Sequence, residues 1–116
     1  MDNSNFKQSI KPFFWIEHKD DFSVCLEAGS YKNEIFSTKK EDGFEGNGYD
    51  WTSLAKTFLA EKLPQLNESI DFDSEAEMFS AYSTNEDALR TFVVEFKKTC
   101  EDETLIEDLF SKIQID

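Results

Sequence analysis

Histidine occurs once in these 116 residues, cysteine twice, and Lys plus Arg number only 12 against 25 Asp plus Glu. Nor does any stretch reach the roughly 18 consecutive apolar residues that a membrane-spanning helix needs. A single histidine excludes a histidine-rich metal site and a zinc finger. Two cysteines, Cys25 and Cys100, are too few for a disulfide scaffold and read as reduced thiols. Residues 1–11 are polar and lack the apolar core of a secretory signal, so the expected location is cytoplasmic, with no membrane partner. The shortage of bases leaves a formal net charge of −13. Residues 1–58 carry ten acids against seven lysines, whereas residues 59–116 carry fifteen acids against five bases. Phosphate neutralisation needs clustered Lys and Arg, so nucleic acid is excluded as a direct ligand. An acidic surface favours a basic partner and speeds its encounter.

What the chain does have is aromatic side chains, 15% of the total and 12 of them Phe. That is enough to build one real core in a chain of this length. Residues 1–11 are read as a flexible N-terminal tail and residues 12–116 as a single domain.

Residues 12–19 read as an aromatic-rich strand, and 22–28 alternate through Phe22, Val24 and Leu26. The Asp20-Asp21 break makes these a hairpin. The expected register sets His18 opposite Ser23 and Trp15 opposite Leu26, with Phe13, Trp15, Val24 and Leu26 on the core face. A third strand is expected over 31–38, followed by a long loop from Lys39 into Gly46-Asn47-Gly48. From Trp51 the period turns helical: Trp51, Leu54, Ala55, Phe58, Leu59 and Leu63 form one apolar stripe, with Asp50 as N-cap and Pro64 as exit. Alternation returns over 69–73 and 76–82; helix competes in the second because of Glu75-Ala76-Glu77-Met78, and strand is preferred between its flanking turns. Ser83 and Glu86 have capping-box spacing ahead of Ala88, Leu89, Phe92, Val93 and Phe96, and Asp102 caps a last helix bearing Leu105, Ile106, Leu109, Phe110 and Ile113. The expected fold class is therefore α+β. It has a mostly antiparallel sheet of about five strands and three helices, in the order β-β-β-α-β-β-α-α, with a single layer of helices on one sheet face.

The search for chemistry returns no catalytic, cofactor or metal residues. Gly46-Asn47-Gly48 lacks the third glycine of a dinucleotide loop and the Gly-Lys-Ser/Thr of a phosphate loop. It precedes a helix, but Asp42, Glu45 and Asp50 crowd the spot and repel an anion. In the expected register His18 and Cys25 share the non-core face about 7–8 Å apart, with no residue to orient the imidazole. Asp71, Asp73 and Glu75 could face a divalent ion, yet the glycine and spacing of a calcium loop are missing. A solvated sheet face accounts for them.

The string Gly46-Asn47-Gly48-Tyr49-Asp50-Trp51, continuing through Thr52-Ser53-Leu54-Ala55, resembles the immunity protein 51 family of bacterial polymorphic toxin and contact-dependent inhibition systems. The stretch 70–83, from Ile70-Asp71-Phe72-Asp73 to Tyr82-Ser83, is similar to a second recurrent segment of that family. The resemblance runs from about Phe13 to Ile113. It implies an immunity-protein-like α+β domain, not an enzyme, that needs no cofactor and that binds and neutralises a cognate toxin domain. It carries over no catalytic residues.

Charge adds an expectation about that partner. A nuclease toxin needs a basic cleft, and carboxylates can stand in there for phosphates. The expected toxin contacts are Glu41, Asp42, Glu45 and Tyr49 on the long loop and Glu75 and Glu77 on the second segment, presented by a chain that is monomeric when free. A competing class is a small intracellular ligand-binding or enzymatic domain using the glycine-rich loop 46–50. A third is a scaffold whose acidity serves only solubility.

Overall fold

Period-2 alternation places Phe13, Trp15, Val24 and Leu26 on one side of a hairpin, and all four are buried in the computed structural model, which describes residues 3–113. The hairpin is β1 (Phe14–Glu17) and β2 (Phe22–Glu27). Two further strands, β3 (Asp71–Phe72) and β4 (Met78–Ser83), complete one antiparallel sheet in the order β1-β2-β4-β3. Phe79 and Ala81 of β4 point to the same side as Val24 and Leu26, so the second alternating segment is a strand, not a helix.

The helices are α1 (Asn3–Ser9), α2 (Asn33–Thr38), α3 (Gly48–Lys62), α4 (Glu86–Glu101) and α5 (Glu103–Lys112). Helices α3 and α4 lie on the core face of β2 and β4, and α5 packs against both. The expected stripe of α3 is buried at Trp51, Leu54, Ala55, Phe58 and Leu59. Asp102 caps α5 by accepting the Leu105 N–H at 3.1 Å, as its spacing predicts. In α4 the cap is Asn85, which accepts the Ala88 N–H at 3.1 Å, while Ser83 accepts from Asn85 one step earlier.

The α+β class and the antiparallel sheet hold; the counts do not. Among the described residues there are four strands and five α-helices, against about five strands and three helices expected. The strand expected over 31–38 is α2. Lys32 adopts φ 55°, which turns the chain, and Tyr31 then stacks on Trp51 while Phe36 packs against Trp51 and Phe110. Tyr31 and Phe36, on either side of this turn, reach the core with no neighbouring strand, and a short helix satisfies the backbone locally. In the expected tail, α1 sets Phe6 edge-on to Trp15 at 5.1 Å, and Ile10 is fully buried.

The hairpin register also differs. His18 N–H donates to Asp21 O at 2.9 Å across a two-residue loop, and Trp15 faces Val24, not Leu26. The slip is by two residues, so every side chain keeps its face.

Candidate functional site

The Gly46-Asn47-Gly48-Tyr49-Asp50-Trp51 string is a reciprocal cap. Gly46 sits at φ 77°, a conformation that strains any residue with a Cβ. Asn47 is the N-cap of α3: its side chain accepts the Asp50 N–H at 2.9 Å. Asp50 is not the cap but the third residue of the helix, and its Oδ2 reaches back to accept from Glu45 N–H at 2.6 Å and Gly46 N–H at 2.8 Å. Three orphan donors of the turn are thereby satisfied by two side chains.

Gly48 carries a stricter requirement. A Cβ there would lie 1.9 Å from the carbonyl oxygen of Glu75 and 2.6 Å from that of Met78. The helix start is pressed against the β3–β4 turn, with Gly48 N–H donating to Ala76 O at 2.8 Å. Beside it Thr52 Oγ1 and Ser74 Oγ share a hydrogen bond of 2.6 Å, and Ser80 N–H donates to Ser74 Oγ at 3.0 Å. The two sequence segments are thus bonded to each other through main chain and hydroxyls. Trp51, one turn in, is fully buried among Phe13, Tyr31, Phe36, Phe79 and Phe96.

This docking decides where the expected contact residues lie. Glu45 and Tyr49 flank the α3 start, Glu75 and Glu77 belong to the turn it touches, and the structure brings these four to one end of the molecule. Tyr49 is 56% exposed, the most exposed large hydrophobic side chain described. Glu41 and Asp42 stand apart on a 3-10 turn (Lys40–Asp42) behind buried Phe44, and no side-chain bond ties them to that end. All five carboxylates are exposed, and none takes part in an ion pair among the described residues.

On α4 and α5 several acids are neutralised. Glu86 pairs with Arg90, Glu95 with Lys98, Glu107 with Lys39, and Asp108 with Lys112. Glu101 accepts a short hydrogen bond from Tyr31 and pairs with Lys32, and those contacts hold its carboxyl below the ordinary range. Burial pushes the neighbouring Cys100 thiol far up.

The His18–Cys25 pairing does not form. The register slip carries Cys25 opposite Phe14, four positions from His18, and His18 instead meets Ser23 Oγ at 2.9 Å. Cys25 donates to Ser80 Oγ at 3.6 Å, and burial raises its pKa, against the low value a nucleophilic thiol needs. Among the described residues no three His, Cys, Asp or Glu side chains are placed to hold a metal ion, and no helix is long and apolar enough to cross a membrane.

Sequence reasoning missed Asn47, Thr52 and Ser74, the residues that fasten the site. The Asn-x-x-Asp spacing of residues 47 and 50 was a visible capping signal; nothing local marks Thr52 or Ser74 as partners. No curated protein and no solved structure matches the chain. The family model for immunity protein 51 matches residues 13–115, both segments and nearly everything between the termini, and the chain belongs to that family.

Proposed function

We propose that this protein neutralises a cognate toxin domain by direct binding, without catalysis, at the end formed by the α3 start and the β3–β4 turn. One observation carries the reading: an aromatic side chain 56% exposed, on a backbone locked by a reciprocal cap, stands among carboxylates that have no cation of their own. A rigid aromatic can anchor in a partner's pocket at small entropic cost. Unpaired carboxylates attract a basic surface and raise the association rate. The partner is therefore a basic toxin domain, and a nuclease fits because its cleft must already hold phosphates. Tyr49, Glu45, Glu75 and Glu77 form the centre of the contact; Glu41 and Asp42 extend it along the loop. The protein acts in the cytoplasm of the toxin-bearing bacterium, where the polymorphic toxin would otherwise reach its target.

The ligand-loop reading loses its chemistry at the same place. The N–H groups of Glu45, Gly46, Gly48 and Asp50 are all occupied by the chain itself, leaving no nest of donors for an anion.

The test is capture of the toxin domain encoded beside this chain, followed by its activity on RNA and DNA with and without this protein. Binding with loss of toxin activity is expected, weakened by Tyr49→Ala. A toxin that is neither bound nor inhibited overturns the reading. Association should slow steeply from low to high salt; a rate indifferent to salt removes the electrostatic part alone.

A further inference from the structure

Two links set the two segments of the contact end against each other. The first is the main-chain bond from Gly48 N–H to Ala76 O at 2.8 Å. The second is the 2.6 Å hydrogen bond between Thr52 Oγ1 and Ser74 Oγ, the one side-chain hydrogen bond from α3 to the β3–β4 segment among the described residues. Ser74 is in turn tied to the sheet: its Oγ accepts from Ser80 N–H at 3.0 Å and lies 3.5 Å from Ser80 O. Ser80 faces Cys25 across the β2–β4 pair, and its hydroxyl accepts from the Cys25 thiol. Ser74 and Thr52 have one hydroxyl proton each. The arrangement that uses both has Thr52 donating to Ser74 and Ser74 donating to Ser80 O. Ser74 then keeps both of its bonds to Ser80 whether or not Thr52 is there.

We propose that Thr52 is a positioning residue for toxin binding, an inference that rests on the toxin-binding reading above: its bond to Ser74 locks the Tyr49 face of α3 to the turn that carries Glu75 and Glu77. Thr52 lies three residues after Tyr49, on the same side of the helix, and Ser74 immediately precedes Glu75. A single bond at Gly48 is a pivot about which the turn can swing. A second link four residues on, about 6 Å along the helix axis, stops the swing. Ring and carboxylates then meet the partner at one fixed spacing, and binding need not order one relative to the other. The partner this selects is correspondingly narrow: a toxin surface that presents a ring-sized pocket and a basic patch at that same spacing. Thr52 is half-buried and acts through Tyr49 and the turn.

Thr52→Val removes the hydroxyl and keeps the β-branched shape, so the chain should fold with at most a slightly lower melting temperature. In a titration against the toxin domain it should raise the dissociation constant about fivefold, the equivalent of one hydrogen bond, and Thr52→Ser should restore it. The deciding measurement repeats Thr52→Val in a Tyr49→Ala chain and in a chain carrying Glu75→Gln and Glu77→Gln. With one half of the contact removed there is nothing left to position, so the loss should vanish in both backgrounds. A merely structural defect would persist in them. Thr52→Ala, a stronger helix former, answers the same question if valine does not fit. Wild-type affinity in a folded Thr52→Val chain overturns the proposal, as does a loss that Thr52→Ser leaves in place or that survives in either background. Wild-type capture with an indifferent Thr52 leaves the toxin-binding reading standing; failure of wild-type capture overturns that reading and this one with it.

Discussion

Two acidic regions of this molecule differ in what their charges do. On α4 and α5, Glu86, Glu95, Glu101, Glu107 and Asp108 each meet a Lys or Arg, and two of these cations, Lys32 and Lys39, flank α2 nearly seventy positions away in the chain. At the α3 start and the β3–β4 turn, Glu45, Glu75 and Glu77 meet none, while the N–H groups of Glu45, Gly46, Gly48 and Asp50 are bonded within the chain. The C-terminal half is the more acidic by composition, yet much of its charge is spent internally. Net charge is thus a poor guide to where an electrostatic surface lies; the pairing decides it.

The sharpest way to break the comparison is to separate the two segments that build the unpaired end. Gly48→Ala puts a methyl group against two carbonyl oxygens and should cost about 3 kcal/mol or more in chemical denaturation, because backbone cannot yield as a side chain can. Tyr49→Ala should leave the fold unchanged and weaken toxin binding by about 2 kcal/mol in a titration, as befits an anchor. If the loss is small, the carboxylates rather than the ring carry the contact.

The paired region is where pH should act. Burial pushes the Cys100 thiol well above its ordinary pKa of 9.0, so the folded chain keeps a neutral thiol that the unfolded chain ionises. A raised folded-state pKa stabilises fully below the unfolded value and loses that contribution as pH rises. Stability should therefore fall by about 1.4 kcal/mol per unit above pH 9.0, a slope that Cys100→Ser removes. Glu101 has the opposite sign: its lowered pKa contributes above the ordinary carboxylate range and is lost in acid.

Smaller effects refine the contrast. Asn47→Ala removes the α3 cap and should cost about 1 kcal/mol in a thermal melt. Glu95→Gln, in an exposed pair with Lys98, should cost only about 0.3 kcal/mol. Two such neutralisations in the paired region should slow toxin association less than Glu75→Gln with Glu77→Gln, although the charge removed is the same.

Much of the fold was legible because its signals are local. Face assignment survived a wrong hairpin register, since strand alternation has a period of two and the error was two residues. Helices α3, α4 and α5 were readable from their stripes, and the Asp102 cap from its spacing. Helix α2 was not, because Ile35 and Phe36 are too few to set a period and their burial depends on Trp51 and Phe110, far away in the chain.

By itself the sequence determined the α+β class, the buried side of the hairpin, and the family, because residue order alone sets periodicity and motif. Tertiary structure alone decided the role of Gly48, whose missing Cβ matters only when the β3–β4 turn arrives against it. It also decided which carboxylates are free and which hydroxyls join α3 to that turn. Neutralisation and pairing are contacts between distant positions, and no local pattern encodes a neighbour that folding has yet to supply.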